Sequence, residues 1–389
     1  MWRRPLSREG SRMGIGTNTD DVRRRNLSAV LTLVHRARAL SRSELTRRTG
    51  LSRSTVKDLV EELAAAGLIE ESQAAPASQV GRPSPMVRPQ SGTLAIAVNP
   101  ETDAVTVGLV ALGGTVLDVT RYPTHGVPSV RDTVAITAKA VTRIERGLDR
   151  TQRVTAIGVA VPGLVHAPTS VVRLAPNLDW HDEALGQMLS TATGLPVFAA
   201  NDANLGAIAE HIFGGHPAAQ HMIYVNGGKS GIGAGFVVAG ELLEGAAGYA
   251  GELGHTYVGG AGPCHCGRIG CLETEVSESS PKTPAHQAQY LGIALGNAIN
   301  LLNPNLIVLG GFLGSFPAQA DAALATAITR HSMRVPNEQV RIVPGTLGTD
   351  TLMIGAAEAA FAALLADPAG YYRPAVEQSG DRRLTSPAT

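Results

Sequence analysis

"GELGHTYVGGAGPCHCGRIGCLE", residues 251–273, holds all three cysteines of a 389-residue chain. Cys264, Cys266 and Cys271 are packed into eight residues, with His255 before them and His265 among them. Three thiolates and one imidazole are four soft or borderline ligands, a set that suits tetrahedral zinc. With all four positions taken by protein, such a site is structural and not hydrolytic. Gly267 and Gly270 supply the tight turns that bring C-x-C-x4-C onto one ion. By spacing alone either histidine can complete the set, and an iron–sulfur cluster also fits the cysteines. An odd, clustered cysteine count argues against a disulfide framework and fits a reducing compartment, so a cytoplasmic protein is expected.

Outside this stretch the composition is ordinary. Apolar residues make up 44% and charged residues 17%, which excludes a disordered chain, and the length suggests two or three domains. No apolar run of about 18 residues is evident, so no membrane span is expected. The opening "MWRRPLSREGSRMGIGTNTDD" has charge but lacks the apolar core of a secretory signal. The net charge of zero hides an asymmetry: residues 21–90 carry 12 Lys/Arg against 7 Asp/Glu, and residues 91–389 carry 17 against 24. A basic head on an acidic body is the electrostatic pattern of a nucleic-acid-binding module joined to something else.

The head reads as a winged helix-turn-helix. In "SRSELTRRTGLSRSTVKDLVEELAAAGLIEE", residues 41–71, Ser41 and Glu44 have capping-box spacing, Gly50 stops the helix they open, and Ser52 caps the next. Val56, Leu59, Val60 and Leu63 then recur at helical spacing, and Leu27, Val30, Leu31 and Val34 do so on an earlier helix at about 24–37. Arg53, Ser54, Thr55 and Lys57 fall in the first turns of the second helix of the pair, the part that enters a major groove. "LIEES" and "PMVRP" can pair as a wing whose tip carries Arg82, within reach of a minor groove or phosphates.

The body reads as a duplicated α/β domain. "LAIAV", "VTVGLV" and "TVLDVT" form a meander, followed by a helix at about 129–148, a strand "VTAIGVAVPG", a helix near 182–193 and a strand "PVFAAND". The order recurs with "HMIYVN", "GIGAGFVVAG", a helix at about 286–302, "LIVLGG", a helix near 316–330, "VRIVPG" and a helix at 351–366. Two such units imply two lobes and a cleft at the strand ends. "VPG" (161–163), "NDAN" (201–204), "GGKSGIGAG" (227–235) and "GELGH" (251–255) fall there.

These segments, and above all residues 251–273, resemble the ROK family of sugar-responsive repressors and sugar kinases over about residues 91–366. With the winged helix in front, the chain resembles the family's transcriptional regulators. The resemblance implies an α/β fold: a winged helix-turn-helix followed by a two-lobed actin-like, ribonuclease H-like domain of ATPase type. It favours His255 over His265 as the fourth zinc ligand. It also implies a sugar site made of Asn201, Asp202, Glu252, His255 and Glu273, with Gly163 giving the backbone close approach to the ring. Asp202 has a second reading as the N-cap of "ANLGAIAEH". The implied partners are a double-stranded DNA operator and a sugar or sugar-phosphate effector, bound by a homodimer or homotetramer with no membrane attachment.

The family also contains kinases. There the counterpart of Asp202 takes the proton from the sugar hydroxyl, and ATP phosphates rest on a D-x-G-x-T turn and a second glycine-rich hairpin. The second hairpin is represented by Gly231, Gly233 and Gly235. The first reads "NPETD": Asn99 stands for Asp, Glu101 for Gly and Asp103 for Thr, and Pro100 lacks a backbone donor. Two carboxylates facing the phosphate position oppose ATP, so no catalytic residues and no kinase activity are expected. Residues 274–285, "TEVSESSPKTPA", are shorter than the family's usual helical segment. The expected organisation is a disordered 1–20, a head at 21–90, a body at 91–366 with lobes at about 91–200 and 201–350, and a disordered tail at 367–389.

Overall fold

The computed structural model describes residues 18–72, 84–229, 231–316 and 318–371. Arg82 and the tip of the expected wing therefore lie outside the described residues, as do residues 1–17 and 372–389. The head comprises α1 (Thr19–Ala37), β1 (Leu40–Ser41), α2 (Arg42–Thr49), α3 (Arg53–Ala65), β2 (Ile69–Ser72) and β3 (Met86–Pro89). The capping box forms at α2: the Glu44 N–H donates to Ser41 Oγ at 3.2 Å, and the Ser41 N–H donates to Glu44 Oε2 at 3.0 Å. Gly50 ends α2 at φ 69°, a conformation only glycine takes at low cost. Ser52 caps α3, accepting from the Thr55 N–H at 3.1 Å. The predicted apolar faces, from Leu27 to Val34 and from Val56 to Leu63, are buried against one another. β2 and β3 pair antiparallel as the wing, with β1 on the other side of β3. α1 begins five residues earlier than the apolar periodicity indicates. Asp20 and Asp21 in its first turn complement the helix dipole there, so residues 18–20 are ordered rather than disordered.

In the first lobe come β4 (Thr93–Pro100), β5 (Ala104–Ala111), β6 (Thr115–Pro123), α4 (Val130–Gly147), β7 (Arg153–Val161), β8 (Leu164–His166), β9 (Val171–Ala175), β10 (Trp180–Glu183), α5 (Leu185–Thr193) and β11 (Val197–Asn201). The second contains α6 (Asp202–Phe213), β12 (Met222–Gly228), β13 (Gly231–Val238), β14 (Glu241–Leu242), α7 (Leu272–Glu275), α8 (Pro284–Leu302), β15 (Leu306–Gly311), α9 (Ala318–His331), α10 (Arg334–Gln339) and β16 (Arg341–Pro344). The chain closes with α11 (Thr351–Ala366) and α12 (Pro368–Tyr371), the latter inside the segment expected to be disordered.

The large sheets run β11-β7-β4-β5-β6 and β16-β15-β12-β13-β14. Counted within each lobe, both have the order 5-4-1-2-3, with antiparallel hairpins on one side and parallel crossovers on the other. The duplication is thus carried by topology. The small sheet β8–β10 falls outside this pattern. Its last strand takes residues 180–183, so α5 starts at Leu185 rather than near 182, and the indole of buried Trp180 is satisfied by the Pro128 carbonyl at 3.0 Å.

α6 leaves the first lobe at β11 and packs on the second sheet, while α11 packs back on β4 and β7 of the first. The two helices cross so closely that a Cβ on Gly355 would lie 2.3 Å from the Leu205 carbonyl oxygen, which requires glycine. Among the described residues, Gly348–Ala366 is the one helix long and apolar enough to cross a membrane. The sequence reading expects no membrane span and places a helix here, at 351–366. Its burial between the lobes and the head makes it a core helix.

The head does not hang from its linker. His35 of α1 is fully buried, its Nε2 lies 2.9 and 3.0 Å from the two oxygens of Glu358 on α11, and its Nδ1 accepts the Gly113 N–H at 2.9 Å. Nδ1 is thereby the acceptor, which leaves Nε2 as the N–H that bonds Glu358. The ring of Phe213, at the far end of α6, meets the His35 ring edge-on at 5.6 Å and lies 4.8 Å beneath the Arg38 guanidinium. The short segment 274–285 is fastened likewise: Glu275 pairs with Lys282 and His286, and the Ser277 N–H donates to Gln287 at 3.0 Å.

Candidate functional site

One polar cavity at the mouth of the interlobe cleft gathers Gly163, Asn201, Asp202, Glu252, His255 and Glu273. These come from four separate stretches of chain. Asn201 ends β11 and caps α6, its Oδ1 accepting the Asn204 N–H at 3.0 Å and its Nδ2 donating to the Gly163 carbonyl at 3.1 Å. The cap is thus Asn201, not Asp202. Asp202 is the first helical residue, and its Oδ1 accepts the Ala203 N–H at 2.8 Å. Burial pushes its carboxyl up to about 7, and the Glu252 carboxylate adds to the shift. Glu252 is itself raised by burial, a shift that His255 opposes and Glu273 reinforces. Gly163 lines the cavity, but its lack of a side chain is dictated by the protein: a Cβ would sit 2.4 Å from the Leu174 carbonyl oxygen.

His255 stands between this cavity and the cysteines. Its Nε2 lies 3.8 Å from Glu252, and its Nδ1 lies 3.5 Å from Cys264 Sγ and 3.4 Å from Glu273. Cys266 and Cys271 approach to 3.7 Å between sulfurs, and one ligand atom from each of His255, Cys264, Cys266 and Cys271 lies within 4.8 Å of the others. A tetrahedral ion with metal–sulfur bonds of about 2.3 Å has edges of about 3.8 Å between its ligands, so the quartet fits. It could hold a metal ion. Gly267 and Gly270, at φ 84° and 80°, make the turns that converge the thiols. His265 points elsewhere, its Nδ1 3.0 Å from Asn177 Oδ1.

The cavity also includes Asn177 and Asn226, which the sequence reading omitted. Asn226 was within reach: it closes the apolar run "HMIYVN" of the second repeat, as Asn99 follows "LAIAV" in the first. Asn177 lies beyond β9, in the region of the small sheet that was not anticipated. Carboxylates, carboxamides and an imidazole around one cavity match the alternating donors and acceptors of a polyhydroxylated ligand.

At the β4–β5 turn the two carboxylates are not left facing an open cleft. Glu101 accepts from Thr106 Oγ1 at 2.5 Å and pairs with Arg121. Asp103 pairs with Arg121 at 2.5 Å and, across the lobes, with Lys229 of the second hairpin at 3.2 Å. Lys229 above all, with help from Arg121, holds the Asp103 carboxyl below its ordinary range.

On the head, Arg53, Ser54 and Lys57 are exposed along one face of α3. Thr55 is half-buried, and its hydroxyl lies 2.8 Å from Ser52 Oγ, within the helix cap. Lys57 pairs with Glu61 one turn on at 3.6 Å, an exposed contact of little energetic weight.

Fold and site together define a winged-helix protein with a duplicated, actin-like body whose cleft is polar. The chain belongs to the ROK family, whose model matches residues 95–283 and 279–362; a winged helix-turn-helix DNA-binding model matches residues 23–70. It is 27% identical to the xylose repressor of Bacillus subtilis over 367 residues, which cover 86% of this chain and 94% of that one. Against a putative xylose repressor of Caldicellulosiruptor it is 36% identical over 197 residues, 40% of this chain and about half (49%) of the relative. A glucokinase of Halalkalibacterium halodurans is 32% identical over 251 residues, 51% of this chain and 74% of that protein. Among solved structures, a ROK family transcriptional regulator, a homologue of the E. coli MLC protein, superposes with a TM-score of 0.72 at 26% identity, over 88% of this chain and 98% of that one.

Proposed function

We propose that the protein is a sugar-responsive transcriptional repressor that binds an operator through its winged helix and a monosaccharide in the interlobe cavity. The observation that carries this is the direct mechanical link between the two: α6 begins at the cavity with Asn201 and Asp202 and ends at Phe213 against the head. A ligand that gripped Asn201 and Asp202 on one side and Glu252 and Glu273 on the other would favour one lobe arrangement, and α6 and α11 would carry it to α1. In a dimer this changes the spacing of the two heads, and half-sites tolerate only a fixed spacing. About 1.4 kcal/mol of coupling gives a tenfold change in affinity. The test is titration of labelled operator with and without sugar, starting with xylose, which the repressor relatives suggest, and glucose, which the glucokinases suggest. The expected result is weaker operator binding with the effector, a response lost in Glu252→Ala with little change in sugar-free DNA binding. A sugar proven to bind that leaves operator affinity unchanged would mean the body is not this head's sensor.

On this reading Arg53 and Lys57, exposed on α3, are the residues that read bases. Arg53→Ala and Lys57→Ala are each expected to weaken operator binding by about 1–3 kcal/mol. Gel-shift affinity unchanged in both variants and in the double variant would exclude α3 as the recognition helix.

The metal that suits three thiolates and an imidazole is zinc, with His255, Cys264, Cys266 and Cys271 as ligands. Bound there, it would supply a structural crosslink between the turn carrying Glu252 and the segment carrying Glu273. His255 would hold the metal through Nδ1, the nitrogen near Cys264, and its Nε2, near Glu252, would remain for a sugar hydroxyl.

A sugar kinase is the second reading. It is favoured by Asp202, whose carboxyl is poised near 7 as a general base requires. Against it stands the phosphate side, where Asp103 and Lys229 pair across the two hairpins and Pro100 lacks a donor. Purified protein with ATP, magnesium and a hexose panel is expected to form no sugar phosphate. Turnover abolished by Asp202→Asn would make the protein an enzyme.

A further inference from the structure

The proposed sugar pocket is nearly shut. Its free volume is about 50 Å³, room for a few waters, whereas small-molecule sites run from about 300 Å³ upward. A monosaccharide ring with its hydroxyls enters only if the lobes part. Polar contacts between the lobes oppose that. Asp103, in the β4–β5 turn of the first lobe, accepts from Lys229 Nζ of the second at 3.2 Å. Arg121 pairs with both Asp103 and Glu101, so two carboxylates and two cations balance there. Without Lys229 the turn carries an excess negative charge. Asn177, which follows β9 and lines the pocket, accepts at Oδ1 from His265 Nδ1 of the cysteine loop at 3.0 Å. His265 is the histidine that the metal quartet leaves out, and this contact gives it a role of its own.

We propose that Asp103–Lys229 and Asn177–His265 together form a clasp, which holds the lobes closed without ligand and sets how readily the pocket admits one. Its effect on a sugar rests on the reading of the pocket as a sugar site, so the clasp itself is tested without one. Neither contact is strong. Asp103 and Lys229 are about half-exposed, and His265 is exposed. Each contact is worth a two- to fivefold shift in the ratio of open to closed protein, and the two together about tenfold. A ligand that enters only the open form gains affinity in the same proportion.

The experiment is double electron–electron resonance on the full chain, with spin labels on ketone-bearing residues at positions 127 and 315, so that the cysteines stay untouched. Val127 and Ser315 are exposed, and they follow the cleft-side ends of β6 and β15. Without sugar, wild type should show mainly the short separation. The longer one should gain about two- to fivefold in Asp103→Asn and in His265→Ala, and about tenfold in the double variant. Salt at about 1 M should lengthen the separation in wild type and His265→Ala but not in Asp103→Asn. Metal content is measured alongside; if His265→Ala loses metal, Asp103→Asn and the salt series decide. Xylose and glucose are then tried as probes, and one that binds should bind the double variant about tenfold more tightly. If the labels report the clasp and neither sugar binds, the sugar reading fails and the clasp stands. The proposal is overturned by a wild-type distribution that is already mainly open, or by an Asp103→Asn distribution that matches wild type at low salt.

Discussion

Replacing Asp202 by asparagine should abolish sugar binding and yet make the ligand-free protein more stable above pH 7. The carboxyl is buried, and that burial raises its pKa from 3.8 to about 7. A folded pKa above the unfolded one means that the folded state holds the proton more tightly. The stabilisation is complete below pH 3.8 and is lost as the pH rises through about 7. Above that, the wild-type protein holds a buried carboxylate at a cost of up to about 4 kcal/mol, which the neutral carboxamide escapes. Denaturant titrations at pH 5 and pH 8 check this. Wild type should lose more stability than the variant between the two, and calorimetry with the effector should detect binding only to wild type. Equal pH dependence in the two proteins would show that Asp202 is not the buried acid described here.

Loss of the metal should be comparably severe. Cys266 is the least buried of the three cysteines, so Cys266→Ser perturbs packing least while removing one of four ligands. Its metal affinity should fall by more than the roughly 10–100-fold that loss of a mere outer partner costs. Because His255 belongs to both sites, sugar affinity should fall with it. Metal analysis after dialysis, followed by the sugar titration, measures both. Wild type should retain close to one equivalent of zinc, and full retention in Cys266→Ser would mean the ligand set is wrong.

Much of this was legible in the sequence because it is local. Ser41 with Glu44, Gly50 and Ser52 mark the helix ends between residues 41 and 52, and the structure forms each of those caps. The strand and helix order of the body follows from periodicity, and the cysteine spacing from the turns at Gly267 and Gly270. What escaped depends on contacts distant in sequence. Nothing near Asp103 announces Lys229, and nothing near His35 announces Glu358. Asn177 enters the cavity only because the β8–β10 sheet folds over, and that sheet has no strong alternation of its own. The second reading of Asp202, as the α6 cap, falls one residue short: β11 runs on through Asn201, whose side chain takes the capping position.

The clamp between α1 and the body bears on how such proteins can be re-engineered or shuffled. A DNA-reading unit tethered by a linker can be exchanged for another by cutting at the linker. Here the boundary runs through the C-terminal half of α1: Ser28, His35 and Arg38 are committed to Leu365, Glu358 and Phe213. A chimera that grafts a foreign reading head at residue 90 would strand Glu358 without its imidazole and leave Phe213 uncovered. A graft that keeps α1 and replaces only α2, α3 and the wing retains every one of those contacts. The portable unit is therefore the reading surface alone, and α1 is inherited with the body.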